Sequence, residues 1–160
     1  MAMKSFLAPI PAIVLALLLV GCGNKEAQVV GKWKVKTLPN LSNVPNAALA
    51  QSMLSGVTYE FKADKHFTTS VPAAGAMGEA EGTWSLSGDT ITMTTTKAAG
   101  QDAATLKKMI DANPQAKAML AKEGNGDPFN KTATLGGDGK TLTMKSSQGA
   151  SMTLEKDSGS

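Results

Sequence analysis

Few side chains in this sequence could carry out chemistry, and their spacing narrows what that chemistry would be. Cys22 is the only cysteine, and it directly follows an apolar run from Phe6 to Val20. One thiol can be a nucleophile or a modification site, but it cannot form an intramolecular disulfide. His66 is the only histidine and stands two residues from Asp64. That pair could supply a general base or a metal ligand. A solvated turn histidine beside a carboxylate is the more ordinary arrangement, and it is the expectation for His66. Glu79 and Glu81 share one face of an extended segment, whereas a glycosidase needs a second, opposed acid across a cleft. Trp84 and Leu86 have the opposite parity, so the two glutamates are expected on the solvent face. Met53, Met77, Met93, Met109, Met119, Met144 and Met152 could offer soft thioethers to copper(I). They are scattered singly at apolar positions, which is how methionine fills irregular cores. The expectation is therefore no catalytic set and no metal.

The segment before Cys22 explains the lone thiol. Lys4 precedes the apolar run, Pro9 and Pro11 interrupt it, and it falls short of the roughly 20 apolar residues that span a bilayer. A basic start, a short apolar core and small residues at the end describe a cleaved secretory signal. Leu19-Val20-Gly21-Cys22 resembles the lipobox of bacterial lipoproteins. The resemblance implies cleavage before Cys22 and a covalent lipid on its sulfur, with no other cofactor. At about 0.8 kcal/mol for each buried methylene, two or three acyl chains hold a protein firmly to a membrane. The implied location is the cell envelope. With Gly23 rather than Asp after the cysteine, that is the periplasmic face of the outer membrane in a Gram-negative cell, and otherwise the outer face of the plasma membrane. Residues 1–21 are then the signal peptide, 22–28 a lipidated polar tether, 29–157 the folded domain and 158–160 a disordered tail.

Composition limits the partners. The formal charge is only +3, and every basic residue is lysine. Arginine's planar fork is the usual reader of phosphates and guanine edges, so nucleic acid is not an expected partner. Lys32, Lys34 and Lys36 line one face of a strand, expected to be its solvated face, with anionic head groups as the alternative contact. Residues 22–160 make one domain of ordinary size, able to bury a core without disulfide or metal.

The hydropathy pattern has period two through most of the domain. Residues 29–38, 57–62, 66–71, 79–86, 90–97, 131–135, 141–146 and 151–156 read as eight strands. Turn residues such as Ala63-Asp64-Lys65, Ser87-Gly88-Asp89, Gly136-Gly137-Asp138-Gly139 and Ser147-Gln148-Gly149 join them as hairpins. Asn46 can cap a helix over 47–55. Residues 72–78 read as a small, flexible connection. The period changes over 101–130, where Asp102 and then Asn113-Pro114 can start two helices with Leu106, Met109, Ile110 and Leu120 on their apolar side. Eight hairpin-linked strands most simply close an antiparallel up-and-down barrel, which leaves no exposed edge. The expected fold is thus mainly β, with a short helix after strand 1 and a helical insertion after strand 5.

Gly31-Lys32-Trp33 opens the first strand. With the segments 57–64 and 82–93, it resembles the small lipocalin-like lipoproteins of bacteria, most of which lack an assigned activity. The resemblance covers residues 31–97 well, the last three strands loosely, and the 101–130 insertion not at all. It implies a tryptophan that closes one barrel end, with a cation from the last strand packed over it. This chain has no arginine for that place, which leaves Lys145 or Lys156.

An eight-stranded barrel can fill its interior or hold one small ligand. Trp33, Val35, Tyr59, Phe61, Phe67, Trp84, Ile91, Met93, Leu142, Met144, Met152 and Leu154 have inward parity. Of these, Trp33, Tyr59, Phe61, Phe67, Trp84, Ile91, Met93, Met144 and Met152 are the candidate ligand contacts. The expected function is non-enzymatic binding of a small apolar or amphipathic molecule by a membrane-anchored protein. The alternative is an envelope protein-interaction module, an inhibitor or an assembly or stress accessory, that uses the 101–130 insertion. The insertion decides between them, according to whether its apolar stripe covers the barrel mouth or faces solvent.

Overall fold

The computed structural model describes residues 24–38, 47–122, 127, 129–145 and 150–159. The expected leader, Cys22, the Asn46 cap and the Ser147-Gln148-Gly149 turn lie outside the described residues. Eight strands close an antiparallel barrel in chain order: β1 (Gly31–Thr37), β2 (Thr58–Phe61), β3 (His66–Ser70), β4 (Glu79–Ser87), β5 (Thr90–Ala98), β7 (Asn130–Leu135), β8 (Thr141–Lys145) and β9 (Ser151–Lys156). β9 returns to β1, with Val35 opposite Leu154, and this pairing closes the ring. A ninth strand that the sequence reading lacked, the two-residue β6 (Gln101–Asp102), pairs only with the end of β5.

Alternation along the strands builds the core. Trp33, Tyr59, Phe61, Phe67, Trp84, Ile91, Met93, Ala133, Leu135, Leu142, Met144 and Leu154 are all buried on the inner face. The Phe61 ring meets the edge of Trp84 at 5.7 Å and an interplanar angle of 83°. Each large apolar side chain buried in this way contributes roughly 1.5–3 kcal/mol. The outer face carries the alternating lysines, glutamates and threonines. Lys34 pairs with Asp157 at 2.7 Å, and Lys36 with Glu155 at 2.9 Å.

One end of the barrel is shut by a segment expected to be a tether. Lys25–Val29 form a one-turn helix, α1, whose Asn24 cap accepts a hydrogen bond from the Ala27 amide. Three of the four exposed residues of α1 reach turns of the barrel. Lys25 pairs with Asp89 in the β4–β5 turn, and Glu26 with Lys65 in the β2–β3 turn. The Gln28 side chain lies against Gly139 in the β7–β8 turn. Val29 drops into the core with no exposed surface, and its carbonyl accepts a 2.8 Å hydrogen bond from the Trp33 indole. The first strand therefore starts at Gly31, two residues later than the alternation suggested. Gly31 is required at this corner. Its φ is +129°, and a Cβ there would lie 3.1 Å from Lys156 Cε. Lys156 is the inward lysine of β9; its ammonium lies 5.7 Å from the Trp33 ring centroid and donates to the Gln28 carbonyl at 2.7 Å. Burial pushes its pKa down. Lys145 is exposed, so Lys156 takes the place that the resemblance assigns to an arginine. The C-terminal residues are also tied in: the Asp157 amide donates to the Lys32 carbonyl, and Ser158 and Gly159 form a turn where a disordered tail was expected.

The opposite end carries the long connections. α2 (Ala47–Ser55) follows β1. A 3-10 helix (Pro72–Gly78) joins β3 to β4 in place of the expected flexible link. α3 (Ala103–Ala112) and α4 (Pro114–Lys122) follow β6. Asn113 caps α4 as expected, its side-chain oxygen accepting from the Gln115 and Ala116 amides. Asp102 stands at the start of α3 but makes no side-chain cap bond. Its backbone is instead extended, part of β6, and paired with Lys97 of β5.

Candidate functional site

The barrel interior is solid at the α1 end and hollow at the other. Trp33, Phe61, Ile91, Met93, Leu142 and Leu154 leave essentially no accessible surface. Above them the inner side chains become small. Across β2 to β5, one ladder row reads Tyr59, Thr69, Ala80, Ala98, and the row beneath reads Phe61, Phe67, Gly82, Thr95. Threonine, alanine and glycine occupy little space, and a cavity of about 300 Å³ remains. Tyr59, Phe67, Met93, Thr95, Ala98 and Lys131 line its walls, and Leu106 and Ile110 of α3 lie over it with Phe129 beside them. Sites for small molecules run from roughly 300 to 1,000 Å³, so this one sits at the small end of the range.

Local hydrogen bonds fix the rim. The Thr95 amide donates to the Phe129 carbonyl at 2.7 Å. Asp127 accepts from the Phe129 amide at 2.9 Å and from the Asn130 side chain at 2.6 Å. Those donors hold the Asp127 carboxyl below its ordinary pKa. Asn130 in turn accepts from the Thr94 hydroxyl at 2.8 Å. Phe129 is thus held on the β5 edge of the mouth.

The candidate contacts separate into groups. Tyr59, Phe67 and Met93 meet at the cavity. Trp33, Phe61, Trp84 and Ile91 form the packed floor beneath it and do not line it, because they fill the end that α1 closes. Met144 is buried and Met152 half-buried on the inner face of β8 and β9, away from the cavity wall. The other wall residues were not among the candidates. Parity alone points to Thr69, Ala80, Thr95 and Lys131, but small or polar inner residues do not look like ligand contacts. Phe129 follows a proline outside any alternating run and gave no signal.

The remaining candidates face water. His66 and Asp64 are both mostly exposed, 3.4 Å apart across the β2–β3 turn. The amide and ring of His66 hold the Asp64 carboxyl below its usual range. Glu79 and Glu81 are exposed on the outer face of β4, and Glu81 pairs with Lys97 at 3.1 Å. A second depression of about 840 Å³ lies over this outer wall, lined by Lys32, Glu60, Thr68, Glu81 and Lys97 among others. It is the larger of the two, but seven of the residues that line it are charged, so its water is readily satisfied. The inner cavity has Lys131 as its one charged lining residue and is otherwise mostly apolar. Among the described residues, no three of His, Cys, Asp and Glu come together as metal ligands. Met93 and Met144 are core residues, while Met53 and Met109 are exposed.

A family model described as a lipocalin-like domain matches residues 29–113, more than half of the chain. This protein belongs to the lipocalin-like domain family. The match begins at Val29 and runs through α3, so the likeness extends further into the insertion than residues 31–97. Three crystal structures of Bacteroides proteins are similar to this lipocalin-like chain. A duf4847 family protein from Bacteroides vulgatus is 18% identical over 86% of this chain and 100% of its own, with a TM-score of 0.47. An uncharacterized protein from Bacteroides eggerthii is 17% identical over 81% and 99%, at 0.48. A lipocalin-like protein from Bacteroides uniformis is 15% identical over 81% and 99%, at 0.44. No curated protein matches the lipocalin-like chain.

Proposed function

We propose that this lipocalin-like protein binds one small apolar or amphipathic molecule between the open end of its barrel and α3, and performs no chemistry on it. The cavity of about 300 Å³ carries this reading, because its lining is mostly apolar and includes Leu106 and Ile110 of α3. Ala98→Trp would fill the cavity from its wall. The expected result is at least a tenfold loss of affinity for an apolar fluorescent probe, with the circular dichroism spectrum unchanged. Undiminished probe binding would place the ligand elsewhere. Native mass spectrometry of the purified protein, before and after delipidation, would show whether a small molecule travels with it.

The lipobox-like Leu19-Val20-Gly21-Cys22 supports a lipid-anchored protein of the cell envelope. Asn24 already caps α1, which leaves only Gly23 between Cys22 and the closed end of the barrel. An anchor at Cys22 would set that end on the membrane, with the cavity at the far ends of β4 and β5, directed away from the bilayer. Cys22→Ala is expected to move the protein from the membrane pellet to the soluble fraction without changing its fold. Retention in the pellet would remove the anchor from this reading.

One observation favours the protein-partner alternative: Met109 on α3 is 57% exposed. An envelope partner that docks on α3 would engage it there. Deleting α3 before a pull-down from envelope extract would then abolish capture.

A further inference from the structure

Among the described residues, the carboxylates of α1, of the closed-end turns and of the chain just after β9 are all held. Glu26 pairs with Lys65, and Asp89 with Lys25. Asp64 accepts from the His66 amide and lies 3.4 Å from its ring. Asp138 accepts from the Lys140 and Thr141 amides and from the Thr141 hydroxyl. Asp157 pairs with Lys34. The cations of this end are not all held. Lys62 in the β2–β3 turn and Lys140 in the β7–β8 turn are exposed, and their side chains form no hydrogen bond or ion pair with any described residue. These two turns are the ones that meet Glu26 and Gln28 of α1. Residues two apart project about 200° apart around a helix, so the two turns flank α1 and put one uncommitted ammonium on each side of it. The lysine row of β1 is placed differently: Lys34 and Lys36 pair with Asp157 and Glu155 on the outer wall.

We infer that the closed end is a membrane-contact surface whose partner is the lipid phosphate layer, with Lys62 and Lys140 each on a phosphate beside α1. This contact rests on the lipid anchor at Cys22, and it adds which residues touch the head groups. Reach supports it. Cys22 lies two residues before Asn24, which already caps α1, and two residues span at most about 7 Å. The head-group layer of one leaflet is itself roughly 5–8 Å thick. An acylated Cys22 sits at the inner boundary of that layer, so a docked α1 brings the surrounding turns into it. Charge supports it as well. With the carboxylates held, the uncommitted charges of the flanking turns are both positive. A lysine near an anionic surface gains roughly fivefold in partitioning, and its ammonium meets phosphate as a point charge without arginine's fork.

The chain's two tryptophans, Trp33 and Trp84, are both buried in the floor at this end, so their fluorescence reports how deeply it is seated. The full chain, purified from the membrane fraction, would be reconstituted into vesicles of phosphatidylethanolamine and phosphatidylglycerol with a nitroxide on some head groups. Tryptophan emission is expected to fall at least twofold relative to unlabelled vesicles. Lys62→Glu together with Lys140→Glu should leave the protein on the vesicles and the circular dichroism spectrum unchanged, yet remove about half of the quenching. Lys108→Glu together with Lys145→Glu reverses two exposed lysines at the opposite end and should leave the quenching as it was. Raising the salt concentration should weaken quenching in the native protein and not in the Lys62/Lys140 variant. Absent quenching in a vesicle-bound protein, or equal quenching in both double variants, would overturn the contact and leave the anchor intact. Recovery of the chain only from the soluble fraction would overturn the anchor and the contact together.

Discussion

Trp33→Ala is expected to lower the unfolding free energy by about 3–5 kcal/mol, the range for deleting a large buried aromatic side chain, as read from urea unfolding. Three losses coincide at this residue. The ring has no exposed surface and is part of the floor on which the rest of the core rests. Its indole N–H holds the Val29 carbonyl at 2.8 Å, so the truncation also leaves that buried acceptor unpaired. The ring is the platform beneath the Lys156 ammonium, which would then be half-buried over a void. α1 has little else of its own. It is five residues long, far below the length at which an isolated helix is stable. Its ion pairs to Lys65 and Asp89 are exposed, a class of contact worth about 0–1 kcal/mol each. Trp33→Ala should therefore release residues 24–29 from protease protection before the barrel itself unfolds. Trp33→Phe keeps most of the apolar area and loses the indole donor, so it should fall between the two. A loss below about 1 kcal/mol for Trp33→Ala would mean that the closed end does not depend on this residue.

The contrast between Trp33 and α1 shows what could be read in advance. Strand parity was legible because the barrel has one buried face, and a slip of one residue would turn every inner side chain outward. Trp33, Phe61, Ile91 and Leu154 announce the inner face wherever they occur. Lys25-Glu26-Ala27-Gln28 announces nothing. Five residues contain little more than one helical turn, too short for any period, and the residues that hold α1 in place come from three separate turns. The same limit hid the cavity. Parity lists the inward residues, but whether they fill the space depends on which of them share a ladder row. Thr69, Ala80 and Ala98 lie side by side in one row only because of the register of β3, β4 and β5 and the irregularity beside Gly82. The aromatic candidates were read as ligand contacts when most are the floor, since size marks what fills a barrel and not what is left open in it. The stripe on the insertion was legible as a stripe, because ten residues are enough for helical periodicity. Its division into Leu106 and Ile110 over the cavity and Met109 in solvent was not, since residues three and four apart can lie on either side of a contact line.

Gly82 carries the second large effect, and here the sign is the test. In most strands, replacing glycine with alanine should help or be neutral, because glycine loses more conformational freedom on folding. At Gly82 a Cβ would lie 2.1 Å from the Thr94 carbonyl oxygen and 2.8 Å from Thr95 Cα. Both are backbone atoms, so no rotamer change relieves the contact and β4 would have to separate from β5. The same Cβ would lie 2.8 Å from Phe67 Cε1, pressing that ring towards the cavity it lines. Overpacking that side chains can absorb costs about 1–3 kcal/mol; with backbone in the way, Gly82→Ala is expected to cost about 3 kcal/mol or more. Gly137 provides the control: a Cβ there meets nothing within 4 Å. Gly137→Ala should therefore be neutral, or stabilising by up to about 1 kcal/mol through the unfolded chain. Thermal unfolding of the two variants side by side would decide it. If Gly82→Ala matched Gly137→Ala, the close approach of β5 to β4 would not be a constraint, and the small-residue row that keeps the cavity open would need another explanation. If Gly82→Ala folds at reduced temperature, its probe affinity should also fall, because a displaced Phe67 occupies the volume that the ligand needs.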